Sequence, residues 1–229
     1  MARILSTVLI TAGLVVMADV GLTLAYKEPI SSIYGEIKQH AAEGQLKDLE
    51  SHYPSKGDLR AIAGVHGIDR KARILARRFG DKAKTGEAIG RIIIPAMGLN
   101  AVFVQGTDTS SLQKGPGHYP ETPFPGEGGT VGIAGHRTTY LAPFRHIDSM
   151  HRGDLVTLEM PYGTFYYRVQ KTEIVDPSRV GIVHKVGYER LVLTACHPLY
   201  SAAERYAVFA RLRHTAIFDA ARGGPWQVS

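Results

Sequence analysis

One cysteine stands among 229 residues, and its surroundings pose an acyl-transfer problem. Cys196 closes the β-branched run "RLVLTAC", and nine residues later Arg205 opens a second run, "RYAVFARL". A thiol attacks an acyl carbon as thiolate, so one group must take the thiol proton and another must stabilise the oxyanion that forms. Arg205 is permanently cationic. If the two runs are strands paired through "HPLYSAAER", sulfur and guanidinium lie at the same end of a sheet. A cation there lowers the thiol pKa and binds developing negative charge. The base has to come from ten histidines. His136 ends the strand-like "TVGIAGH", with glycines at 132 and 135 that leave room for its ring at a barrel rim. His197 adjoins the cysteine, but successive strand residues point to opposite faces, which disfavours it. His118, in "GPGHYP", is a second candidate for lining the site. His146, His151, His184 and His214 read as surface or loop residues, and His40, His52 and His66 fall in the front half of the chain.

The elements that must hold these groups are strands. After Gly86 come "AIGRIIIPAMGLNAVFVQGT", "TVGIAGH", "GDLVTLEMP", "GTFYYRVQKTEIV", "ERLVLTAC" and "RYAVFARLRHT", each β-branched or aromatic, with Gly, Pro or Asp at the joints. Six to eight short strands over roughly 130 residues predict a mainly β fold, a closed or nearly closed barrel of about eight strands with short helices. The loop "QKGPGHYPETPFPGEGG" (113–129) is long for a compact domain, so it is expected to be functional or carefully packed.

The front half reads differently. Ile4 to Tyr26 is nearly continuous apolar sequence, broken by Asp19 and small polar residues. At 1.5 Å per residue it spans roughly 34 Å, enough for a bilayer core of about 30 Å. An uncleaved anchor over 1–28 is expected. A cleaved signal peptide with a Thr23-Leu24-Ala25 site is the alternative, and either one exports the rest of the chain. Residues 29–85 are helical and thinly apolar, with Ile30, Ile33, Tyr34, Ile37 and Ala41 on one face. "YPSKGD" breaks the pattern and offers Ser55 or Asp58 as a cap. A basic helix over 59–79 follows, with apolar positions at Ile62, Val65, Ile74, Leu75 and Phe79. The expected organisation is an anchor (1–28), a helical basic stalk (29–85) whose charged face is solvated, and a catalytic barrel (86–229).

Net charge is +6, and residues 60–84 alone carry eight Lys/Arg against two acids. From Gly86 onward 14 basic residues face 12 acidic ones, so the barrel is not a nucleic-acid domain. There is no glycine-rich phosphate loop, no zinc-spaced Cys or His pair and no calcium loop, so neither cofactor nor metal is expected. A lone cysteine outside the cytoplasm serves no disulfide framework; it is a buried small hydrophobe or a working thiol.

Three separated motifs resemble the sortases, membrane-anchored cysteine transpeptidases of Gram-positive bacteria. "GPGHYPETPFPGEGGTVGIAGHRTT" looks like the segment ending in the catalytic histidine. "VLTACHP" is similar to the T-L-x-T-C motif, and "SAAERYAVFARL" resembles the segment with the essential arginine. Their order and spacing agree over roughly residues 87–215, and the flavour is most like the class E or D enzymes of high-GC actinobacteria. The chain departs from the pattern at Val192, in place of the leading Thr, and at Ala195, in place of the Thr before the cysteine.

The resemblance implies Cys196 as nucleophile, His136 as acid and base, and Arg205 at the oxyanion. His118, Thr194, Ala195 and Glu204 are expected to line the substrate. The implied reaction cleaves a C-terminal LPxTG or LAxTG sorting signal between Thr and Gly and passes the acyl group to a cell-wall amine. The partners would be sorting-signal-bearing surface proteins and a peptidoglycan-precursor or pilin amine. The chain would be a single-pass membrane protein with its catalytic domain outside. An L,D-transpeptidase would carry Ser-His-Gly directly before the cysteine, where this chain has Leu-Thr-Ala. A papain-like protease would place its cysteine early, on a helix. The non-enzymatic alternative is a cell-wall peptide-binding barrel with an inert, buried thiol.

Overall fold

The β-branched runs after Gly86 pair into one sheet that closes on itself. The computed structural model describes residues 2–25, 29–219 and 224–228. Its strands are β1 (Ala88–Ile94), β2 (Leu99–Gln105), β3 (Gly117–His118), β4 (Thr130–Ala134), β5 (Leu155–Met160), β6 (Gly163–Val175), β7 (Arg190–His197), β8 (Glu204–Asp219) and β9 (Gly224–Val228). The order is β6-β5-β1-β2-β3-β4-β7-β8-β9, and β6 also pairs with β8, so eight strands form a closed barrel. β9 lies outside that ring. It pairs with β8 at Ala216 and Ile217, beyond the last β7 partner at Arg211. The β2–β3 and β4–β7 ladders are parallel and the others antiparallel.

Strand alternation fills the interior with Ile92, Phe103, Ile133, Leu158, Phe165, Leu193 and Val208, all fully buried. The long 113–129 loop is pinned from inside. The Glu189 carboxylate accepts hydrogen bonds from the backbone N–H groups of Gly126 and Gly128 at 3.0 Å and from the Tyr167 hydroxyl at 2.7 Å. Tyr162 donates to the carbonyl of Pro125 at 2.8 Å.

The described residues also form the α-helices α1 (Ala2–Ala25), α2 (Pro29–His52), α3 (Lys56–Ile62), α4 (Ile68–Gly80) and the single-turn α5 (Thr109–Leu112). In α1, Ala2–Gly21 is long and apolar enough to cross a membrane, and its large side chains are exposed. The expected basic helix over 59–79 is two helices, broken where Gly64 and Gly67 take φ of 75° and 89°. Ser55 is the N-cap of α3 and forms a capping box with Asp58.

The segment is no free-standing stalk: Arg70, Arg73 and Arg77 on the charged face of α4 are exposed, but that helix's apolar residues pack on the barrel. Leu75, Ala76 and Phe79 of α4 are buried in the barrel's own core cluster, and Phe79 stacks against Tyr53, Phe124 and Tyr162 at 5.3–5.5 Å. Asp58 is fully buried, with its charge met by Arg78 at 2.7 Å and Lys82 at 3.6 Å. Helix α2 also docks on the barrel, and apart from Tyr34 its contact side is not the apolar face that the spacing picked out. Ile33 and Ile37 are each 63% exposed, whereas Ser31, Ala42 and Leu46 are buried. Gln39 on that buried side acts as a strand would: its amide accepts from Val102 N–H at 2.9 Å and donates to the Val102 carbonyl at 2.7 Å.

Candidate active site

Alternation along β7 puts Leu191, Leu193 and Ala195 inside the barrel. Val192 faces the other way, into a second cluster with Val175, Ala207 and Phe209. Thr194 and Cys196 share that outer face by parity. The half-buried thiol therefore lies on the outer wall at the C-terminal end of β7.

Two ladders deliver the other groups. In the antiparallel β7–β8 ladder Cys196 is the direct partner of Arg205, with Thr194 opposite Ala207. Directly opposed residues hold their Cβ atoms about 4.5–5.5 Å apart. In the parallel β4–β7 ladder the offset is constant, from Thr130 opposite Arg190 to Ala134 opposite Thr194. Gly135 extends it by donating its N–H to the Thr194 carbonyl at 3.0 Å. Counted on by the same offset, His136 stands level with Cys196. Register thus pairs Cys196 with Arg205 directly, and the β4 offset carried two residues past the strand reaches His136.

Their electrostatics differ. Arg205 donates through Nη1 to the carbonyls of Ala202 and Glu204 at 3.0 Å, and no ion pair among the described residues involves it. No carboxylate among the described residues neutralises its charge. His136 is half-buried, its ring 5.3 Å from that of Tyr140. Its Nε2 is buried and without a hydrogen-bond partner among the described residues. Desolvation lowers its pKa below the ordinary imidazole value. The ring at rest is therefore largely neutral at pH 7, with one nitrogen uncommitted.

The residues expected to line a substrate divide. Thr194 is at the site: its Oγ1 lies 2.7 Å from the Tyr119 hydroxyl. Glu204 is exposed, opposite His197, and what it presents to Arg205 is its backbone carbonyl. Ala195 is corrected: its methyl packs in the barrel core, on the opposite face of β7 from the sulfur. His118 is corrected too. It is fully buried, with Nδ1 2.8 Å from Gln105 Oε1 and Nε2 within reach of Thr122 Oγ1 (3.1 Å) and the Pro123 carbonyl (3.2 Å). Burial pushes its pKa down to about 4. It braces the 113–129 loop.

Two site residues escaped the sequence reading. Tyr119 crosses the outer face of β4 to reach Thr194; a Cβ at Gly132 would come within 2.6 Å of its ring. Burial raises the phenol's pKa, while Thr194 and Arg205 pull it down and Glu121 and Cys196 push it up, so it shares the field of the reacting groups. Arg137 is 4% exposed and ties the site together from behind. It pairs with Asp148 at 2.6 Å, donates to the Cys196 carbonyl at 3.4 Å and to the Arg145 carbonyl at 3.3 Å. Neither residue carries a composition signal. Each follows a motif histidine directly, which is the one hint the sequence holds. Among the described residues no group of three or more His, Cys, Asp or Glu could hold a metal ion.

Comparison with known proteins agrees with this geometry. The Sortase domain family matches residues 92–213. Sortase D of Bacillus subtilis is 36% identical over 57% of this chain and 66% of its own length. Sortase SrtE2 of Streptomyces coelicolor is 28% identical over 97% of this chain and 86% of its own. The solved structure of sortase E from Streptomyces avermitilis superposes with a TM-score of 0.54 at 32% identity, covering 61% of this chain and 96% of that one. With more than half its length matched by the family's domain, the chain belongs to the sortase family of cysteine transpeptidases.

Proposed function

We propose that this protein is a membrane-anchored transpeptidase. It cleaves an LPxTG- or LAxTG-type sorting signal between Thr and Gly and transfers the acyl group to a cell-wall amine. What supports this reading is the β7–β8 ladder that pairs Cys196 with Arg205, together with the β4–β7 offset, which reaches His136 when carried two residues past Ala134. The sulfur attacks the Thr carbonyl as its proton passes to Nε2 of His136. The imidazolium then protonates the leaving Gly amine, and the thioester remains on Cys196. An acceptor amine, from a peptidoglycan precursor or a pilin, attacks that thioester and gives its proton back to His136. Arg205, unpaired by any described carboxylate, holds the oxyanion side of the peptide. The exposed apolar α1 supports anchoring in the membrane, with the barrel outside.

The test is intact-mass analysis of the full chain in detergent with a panel of sorting-signal peptides. A peptide should add its acyl portion to the wild-type protein and release the Gly-bearing fragment. Cys196→Ala should show no adduct with any peptide. An adduct on Cys196→Ala, or a wild-type thiol acylated by none of the panel, refutes the reading.

A further inference from the structure

Residues 140–142 adopt a backbone that side chains resist. Tyr140, Leu141 and Ala142 have φ of 49°, 66° and 44°, three consecutive non-glycine residues in the left-handed region. Such a run persists only where its surroundings hold it. The segment leaves His136 by four residues and returns under it, where Phe144 donates its N–H to the His136 carbonyl at 2.9 Å. The Tyr140 ring lies 5.3 Å from the imidazole and its hydroxyl accepts from Gln113 Nε2 at 3.2 Å.

What presses on the other side is helix α2. The Ser31 hydroxyl accepts from Tyr140 N–H at 3.2 Å. Tyr34 meets the Tyr140 ring edge-on at 6.1 Å. Gly35 lies so close that a Cβ there would stand 2.9 Å from Leu141 Cγ and 3.0 Å from the Tyr140 carbonyl carbon. The first two turns of α2, opening four residues after α1 closes, thus fit the strained segment through hydrogen bond, ring contact and close backbone approach.

We propose that Tyr140 is a positioning residue for His136 and that the first two turns of α2 set its position, making the anchor-proximal helix part of the catalytic apparatus. α2 fixes the left-handed segment, the segment fixes the Tyr140 ring, and the ring covers and orients the imidazole. The inference rests on the acid–base role given above to His136.

A matched pair of substitutions tests it in the full chain in detergent. Gly35→Ala inserts a methyl where there is no room. Gly44→Ala makes the same change on the same helix, where a Cβ meets nothing within 4 Å. Alanine is favoured over glycine in a helix interior, so neither change weakens α2 itself. Gly35→Ala should lower kcat by about tenfold with KM little changed, because a misplaced general base costs rate rather than affinity. It should also move the His136 titration, read by NMR on labelled histidine, upward toward 6.5 as the ring loses its cover. Cys196, Arg205 and Tyr140 itself are still present, so the shift reports position. Tyr140→Ala should reproduce both effects, and Tyr140→Phe should recover most of the rate that Tyr140→Ala loses. Gly44→Ala should match the wild type. Unchanged kcat in Gly35→Ala, an equal loss in Gly44→Ala, or a loss of kcat with the His136 titration unmoved would each overturn the coupling. If His136→Ala itself turned over at the wild-type rate, the acid–base reading would fall instead.

Discussion

His118 on β3 and His136 just past the end of the adjoining β4 make opposite use of burial. His118 is sealed in the core with both ring nitrogens within hydrogen-bond reach of protein groups. His136 is half-buried and keeps an unbonded Nε2. Desolvation lowers the pKa of both. What sets His136 apart from His118 is therefore its uncommitted nitrogen, and not the direction of the shift.

Removing each ring should break the comparison most sharply. His136→Ala should lower transpeptidation by roughly 10²–10⁴-fold, the usual contribution of a positioned acid–base, while the melting temperature barely changes. His118→Ala should instead destabilise the fold by about 3 kcal/mol or more, since it empties a core site and takes away the ring that Gln105 Oε1 meets. Peptide turnover and denaturant melts on both variants check this. A His118→Ala protein that is stable but inactive would reverse the two roles.

The next effect is a pH dependence of stability. With His118 held near 4 when folded and an unfolded value of about 6.5, the unfolded state binds the proton first as pH falls. The folded state should keep this contribution above pH 6.5 and lose about 3 kcal/mol of it as pH drops to about 4. Urea melts at pH 7, 5.5 and 4 would show it, and His118→Gln should flatten that part of the profile. An equally steep profile in His118→Gln would assign the acid sensitivity elsewhere, with buried Asp58, whose carboxyl is held below its ordinary value, the first place to look.

The sequence was most informative where function follows from strand parity. The runs ending at Cys196 and opening at Arg205 pair as neighbours because nothing but a loop separates them, and β-branched alternation set His197 apart from the sulfur's face. Parity also implied that Ala195 faces away from Cys196, although motif resemblance had put it with the substrate. The docking of α2 was hidden for a physical reason. Its contact face is built from Ser31, Gly35, Gln39 and Ala42, small or polar residues that work by close approach and backbone hydrogen bonds. Hydropathy instead singled out Ile33 and Ile37, which are exposed. Nor could composition reveal that α4 completes the barrel core, because its charged residues outnumber the few that are buried there.

The smallest effect probes the boundary between brace and base, at the residue beside His118. His118 points into the core, and Tyr119 points out across Gly132 to Thr194. Tyr119→Phe keeps the ring and removes one hydrogen bond, a net loss of about 1 kcal/mol. If that bond positions the strand end carrying Cys196, the loss should appear in kcat/KM, as a fall of about fivefold, with stability nearly unchanged. Thr194→Val removes the other partner, and the double variant should lose little beyond either single one, because the two changes delete the same bond. Additive losses would mean that Tyr119 and Thr194 act on the peptide independently. A loss confined to melting temperature would place Tyr119 with His118 among the braces of the 113–129 loop.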